Sequence, residues 1–120
     1  MNEIGKLTPK VAALVGIQLA EAVPILIGPS NIQHMQSKHP CDFAKYGADI
    51  AIIINHPDYV GLNTKDGSIE YVKEYFVDGE YVKVAVRVSS KGTYFARSLY
   101  VLNRNRVQNF IEKGTLKKVT

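Results

Sequence analysis

Two periodicities divide the chain. Up to about residue 46 the apolar positions recur three and four apart, and from Asp49 onward they alternate with polar ones. Thr8-Pro9 offers a hydroxyl N-cap and a proline at the first helical position, and Val11, Leu14, Val15 and Leu19 follow at helical spacing. This predicts a helix over about 9–21. Pro24 and Gly28-Pro29 leave room only for a short extended piece, Ile25–Ile27. Ser30 caps a second predicted helix over about 31–38, which Pro40 limits. A helical turn through Phe43–Tyr46, closed by Gly47, comes next.

Asp49–Asn55, with Ile50, Ile52, Ile53 and Ile54, reads as a β-branched strand, and His56-Pro57-Asp58 turns the chain. Ser68–Phe76, Tyr81–Ser90 and Thr93–Asn103 are three further predicted strands, joined by Asp78-Gly79 and Lys91-Gly92. Arg104–Lys113 reads as a terminal helix stopped by Gly114. The predicted class is α+β: N-terminal helices on one face of a twisted antiparallel sheet of four to five strands, with a short C-terminal helix. No repeat or linker divides residues 1–120, so one domain is expected.

Alternation also assigns faces. Val82, Val84, Val86 and Val88 belong to the core face of their strand, which leaves Tyr81, Lys83, Ala85, Arg87 and Ser89 opposite. Phe95, Leu99 and Val101 are placed inward, against Tyr94, Ala96, Ser98 and Tyr100 outward. Val72 and Phe76 are placed inward, with Tyr71, Lys73 and Tyr75 outward. The expected open face therefore collects Tyr71, Lys73, Tyr75, Lys83, Arg87, Ser98 and Tyr100. Cations interleaved with aromatics suit phosphate contact and base stacking, with Tyr71, Tyr75 and Lys83 as RNA-binding candidates. The same pattern also describes an ordinary solvated face of an antiparallel sheet.

Charge sharpens this picture. Residues 1–80 hold six Lys/Arg and ten Asp/Glu, a balance of −4, and residues 81–120 hold nine Lys/Arg and one acid, a balance of +8. Clustered cations attract polyanions, although a solvated basic tail would look the same. The one cysteine, Cys41, excludes an internal disulfide framework and a multi-cysteine metal site. No segment reaches the roughly 20 apolar residues of a membrane span, and no cationic leader feeds an apolar run. The expectation is a cytoplasmic protein with no membrane partner.

His34 and His39 dominate the candidate chemistry of the N-terminal half. Five residues apart, they sit about 140° apart on a helix, unlike the i, i+4 pair that shares a metal. With Cys41, Asp42 and His56 they form no recognised ligand spacing, so neither a metal nor another cofactor is expected. Each histidine is either a proton carrier at the groove edge or an ordinary surface side chain. Ser98 lacks a nucleophile-elbow context, and Gly61, Gly67 and Gly79 are single turn glycines rather than a phosphate loop.

The order of these features resembles a known family. His34-x4-His39 precedes Ile52-Ile53-Ile54-Asn55-His56-Pro57-Asp58. Glu70-Tyr71-Val72-Lys73, a valine-rich strand and a last strand ending Arg97-Ser98-Leu99-Tyr100 follow. Over about residues 31–103 this is similar to the barnase–EndoU–colicin–RelE-like (BECR-fold) nuclease superfamily, in particular its branch on phages and mobile elements. The resemblance implies a metal-independent endoribonuclease in which the ribose 2′-hydroxyl attacks the adjacent phosphate, leaving a 2′,3′-cyclic phosphate. It implies His34 and His39 as acid/base groups, Lys73 and Arg87 as phosphate stabilisers, and Ser98 and Tyr100 as groups that hold the phosphate or orient the nucleophile. The family's last-strand hydroxyl is often threonine; here it is Ser98. A toxin or effector acting on tRNA or other RNA, with a cognate acidic immunity or antitoxin protein, is implied by the resemblance alone. The alternative is a non-catalytic RNA-binding or protein-interaction module. The nuclease reading requires Lys73 to share an open face with Ser98 and Tyr100, within reach of an imidazole.

Overall fold

The computed structural model describes residues 1–119. Its elements are β1 (Asn2–Leu7), α1 (Pro9–Leu14), β2 (Val23–Ile27), α2 (Pro29–Lys38), α3 (Pro40–Tyr46), α4 (Ile50–Asn55), β3 (Tyr59–Leu62), β4 (Ile69–Tyr75), β5 (Glu80–Val88), β6 (Tyr94–Leu102), α5 (Arg104–Glu112) and β7 (Leu116–Lys118). The class is α+β, as expected, but the sheet is larger than expected and mixed. Its seven strands run β1-β2-β6-β5-β4-β3-β7, and β2 pairs with β6 in parallel while the other pairs are antiparallel.

The first helix begins where its cap predicts. Thr8 Oγ1 accepts from the Val11 N–H at 3.2 Å, and Pro9 occupies the first turn. It ends early, because Gly16 at φ +80° turns the chain into an irregular segment before residue 21. The second helix starts at Pro29 rather than after Ser30: Gly28 is its cap, with the Asn31 carboxamide accepting from the Gly28 N–H at 2.9 Å. Pro40 ends α2 as expected and also opens α3.

The isoleucine run is a correction: Ile50–Asn55 is α4, a helix, not a strand. Ile50, Ile53 and Ile54 are buried while Ile52 is exposed, which is the i, i+3, i+4 stripe of a helix face. Packing of that stripe outweighs the modest strand preference of β-branched side chains. Asn55 closes the helix against β1, donating to the Ile4 and Ala51 carbonyls.

The main core lies between the helices α1–α4 and one sheet face, where Leu7, Ile25, Met35, Ile53, Val60, Ile69, Tyr71, Val82, Val84, Val86 and Leu99 are buried. A second, smaller core lies on the opposite face. There α5 packs Val107 onto Val72, Tyr81 and Leu116, with Tyr59, Leu102, Phe110 and Ile111 around them. Helices therefore cover both faces, not one. The remainder of the second face carries the candidate site.

Candidate active site

Side chains directly opposite in an antiparallel pair leave the sheet on the same side. Lys83 is paired with Val72 on β4 and with Tyr100 on β6, and Ala85 with Glu70 and Ser98. Glu70, Val72, Lys83, Ala85, Ser98 and Tyr100 thus share the second face. The small Ala85 leaves a hollow between its neighbours. All of these residues but Val72, together with Asn63, Asp66, Ser68, Arg87 and Arg97, line a cleft of about 270 Å³, whose edge His34 completes.

The same register removes three candidates, and the condition set on Lys73 is not met: it turns away from Ser98 and Tyr100, and Lys83 on the next strand takes the place beside them. Tyr71, Lys73 and Tyr75 oppose Val84, Val82 and Glu80, so they face the helices rather than the cleft. Tyr71 is fully buried in the main core. The Lys73 ammonium donates to the His56 carbonyl at 2.8 Å, and the Tyr75 hydroxyl donates to Asp49 at 2.9 Å. The expected parity of β4 is inverted because Val72 is buried in the second core, under α5, and not in the first. Phe76, expected inside, is 80% exposed at the hairpin end. On β6 a register shift opposite Ala85/Val86 inserts Arg97 as an extra residue. It turns Ala96 into the core and places Phe95 opposite Arg87 on the cleft side.

One N-terminal imidazole lines the cleft and the other stacks on its Tyr100 wall, for a topological reason. β2 pairs with β6 only at Tyr94 and Phe95, so the rest of that β6 edge lacks a strand neighbour. The helices α2 and α3 occupy it, and the Asp42 carboxylate accepts from the Val101 N–H at 3.0 Å where a strand would have paired. His39, at the junction between the two helices, stacks on Tyr100 with ring centroids 4.8 Å apart and planes 27° apart. His34 stands exposed on α2, one turn earlier, at the cleft edge.

Lys83 is the electrostatic centre. It is 8% exposed, and with Ser68 it makes up the buried polar residues of the described chain. Its ammonium meets Glu70 at 2.8 Å and lies 4.6 Å from the centre of the Tyr100 ring. Burial works to lower its pKa, but hydrogen bonds and charge from Glu70 and Tyr100 outweigh that and raise it, so the side chain stays cationic. Replacing a buried pair by apolar side chains is often neutral or stabilising, so stability alone gives little reason for this one. Farther along the cleft Arg87 meets Asp66 at 3.2 Å. Hydrogen bonds from the Ser68 side chain and backbone hold Asp66 below the usual carboxylate range, with the Arg87 charge assisting.

Of the sequence candidates, His34, Lys83, Arg87, Ser98 and Tyr100 are brought together, and His39 joins them through its stack on Tyr100. The reading missed Glu70, Asp66 and Arg97. Glu70 lies inside the quoted Glu70-Tyr71-Val72-Lys73 motif, one position out of phase, so correct parity on β4 would have found it. Arg97 owes its place to a bulge, which alternation does not announce. The cleft lining offers a buried cation, two arginines, three hydroxyls, two carboxylates and one imidazole around one hollow, the groups needed to bind a phosphodiester and move its protons. Among the described residues, no three His, Cys, Asp or Glu side chains form a group that could hold a metal ion.

Neither a curated protein nor a solved structure matches the chain. A family model does, over residues 2–109, which takes in β1 to most of α5 and with them every cleft residue named above. That model describes the phage-Barnase-EndoU-ColicinE5/D-RelE like nuclease3 family, and the chain belongs to it.

Proposed function

We propose that this nuclease is a metal-independent endoribonuclease that uses the ribose 2′-hydroxyl as nucleophile. The observation that carries the reading is the buried Lys83–Glu70 pair beneath Tyr100, set in a cleft rimmed by Arg87, Arg97 and His34. A permanent cation in a low-dielectric hollow suits the charge that gathers on a phosphate passing to a five-coordinate state. Lys83 takes the role that the sequence suggested for Lys73.

In the step we propose, the 2′-oxygen bonds to phosphorus as the bond to the 5′-oxygen breaks. The 2′ proton passes to a base of the cleft, and the leaving 5′-oxygen takes a proton from an acid. Glu70 and the His34 imidazole, from the lining, are the groups assigned to these two transfers, Asp66 being paired with Arg87. Lys83, Arg87 and Arg97 hold the non-bridging oxygens, and Ser98 and Tyr100 orient the ribose and phosphate. His39 fixes the Tyr100 ring. No cofactor is required. The biological setting we propose is a cytoplasmic toxin of a phage or mobile element acting on RNA, tRNA among it, and neutralised by an acidic cognate protein.

Incubation of the purified protein with RNA in excess EDTA tests the reading. Wild type is expected to cut, and His34→Ala to lose at least about a hundredfold in rate, the scale of one proton-transfer group. Loss of wild-type cutting in chelator, or full activity of His34→Ala, overturns it. RNA retained without cleavage at any pH would instead establish a binding module.

A further inference from the structure

The cleft does not end at Lys83. A second hollow of about 490 Å³, within the roughly 300–1,000 Å³ typical of small-ligand sites, shares Asn63, Glu70, Lys83 and Tyr100 with the first. It continues between the β3–β4 turn and α5, towards Lys65, Arg106 and Phe110. The two hollows form one groove with the Lys83–Glu70 pair at its waist.

We propose that this second hollow is a nucleobase subsite, holding the base of a nucleotide that flanks the scissile phosphate; the inference rests on the ribonuclease reading above. Contiguity is the first argument. A base lies one ribose away from its phosphate, and Tyr100 and Lys83 form a wall common to both hollows. The second argument is surface chemistry. Phe110 is half-buried in the lining, and the Arg106 guanidinium lies 5.8 Å from the centre of its ring. A guanidinium held over an aromatic ring presents a flat cationic surface of the kind on which unpaired bases stack.

Hydrogen-bonding groups supply a third argument. The Asn63 and Asn103 carbonyl oxygens already accept from backbone N–H groups at Lys65 and at Asn105, respectively. The carboxamide NH₂ ends are therefore the ends left to meet acceptors on a base edge. Charge agrees with the assignment: Glu70, the one acid lining this hollow among the described residues, is paired with Lys83, whereas Lys65 and Arg106 face no acid there. The groove thus favours a polyanionic strand over an acidic peptide side chain, which would find no stacking register along it.

Short RNA substrates that differ only in the nucleotide on either side of the cut test this, with wild type, Phe110→Leu and Arg106→Ala compared by steady-state kinetics. Wild type is expected to prefer some bases at one of the two positions. Both variants are expected to raise KM by about tenfold, the scale of one lost stack, to lower kcat less, and to flatten that preference. Arg106 is exposed on α5, so its variant keeps the fold even if Phe110→Leu does not. Wild-type cutting without base preference, or a folded Arg106→Ala protein with unchanged KM and unchanged preference, overturns the subsite. A wild type that cuts no RNA refutes the ribonuclease reading itself, a result distinct from either of these.

Discussion

Lys73 and Lys83 lie on adjacent strands one position out of phase, so their ammonium groups leave the sheet through opposite faces. Lys83 is paired with Val72, and Lys73 with Val82. Of the two, only Lys83 lines the cleft. Lys83→Ala is therefore expected to lower kcat/KM on RNA by about a hundredfold or more, as loss of one preorganised charge does, and Lys83→Arg to recover part of it. Lys73→Ala is expected to stay within about threefold of wild type, since it loses only a surface hydrogen bond to the His56 carbonyl. Equal losses in the two variants would contradict this division.

The Lys83–Glu70 pair makes a separate prediction for stability. Both side chains are largely buried, at 10% and 14% exposure. Removing one partner strands the other charge, so Lys83→Met is expected to cost on the order of 3 kcal/mol in urea unfolding. The Lys83→Met, Glu70→Gln double variant is expected to recover at least half of that. Because the folded protein holds the Lys83 proton more tightly than the unfolded chain, the pair's contribution is complete below the ordinary lysine value of 10.5. It is lost as pH rises through the higher folded value, so titration of Lys83 leaves stability flat near neutrality and lowers it in strong alkali. A loss of this contribution between pH 7 and 9 would show the sign to be wrong.

His39 and His34 are expected to behave differently. His39 stacks on Tyr100, and a phenyl ring can replace that contact. His39→Phe is therefore expected to keep most activity and His39→Ala to lose about tenfold, in single-turnover rates on one RNA. A His39→Phe protein as inactive as His34→Ala would make His39 a proton carrier rather than a positioning residue.

Gly61 tests the edge of the sheet. A Cβ there would stand 2.5 Å from the Thr115 carbonyl oxygen, a backbone atom that cannot move aside cheaply. Gly61→Ala is expected to cost about 1–3 kcal/mol and to raise hydrogen exchange across the β3–β7 pairing of Gly61 with Leu116. Unchanged exchange at Leu116 would mean that β7 tolerates the methyl.

How much of this could be read from residue order varies with the distance over which each signal acts. The Thr8 cap, the β4–β5–β6 meander and the helix before Gly114 depend on neighbours in sequence, and they were legible. Parity on β4 was not, because Val72 is buried by a helix that arrives more than 30 residues later, and alternation alone cannot tell one core from another. β1, β3 and β7 are short or glycine-interrupted strands, β1 and β7 at the two edges, whose pairing is decided by long-range register. Ile50, Ile53 and Ile54 did announce a helix stripe, hidden by the strand preference of isoleucine. The site was legible wherever the faces were: Lys83, Arg87, Ser98 and Tyr100 emerged from β5 and β6, while Glu70 and Arg97 depended on a parity and a bulge that contacts determine.

The central claim is that groups of the cleft drive attack by the ribose 2′-hydroxyl. Mass analysis of fragments from one RNA, with and without a single 2′-deoxy substitution at the cut and in excess EDTA, tests it most directly. The account predicts 2′,3′-cyclic phosphate ends from the all-ribose strand and no cut at the substituted position. Cleavage at the deoxy position, or fragments ending in 5′-phosphate and 3′-hydroxyl, would contradict it.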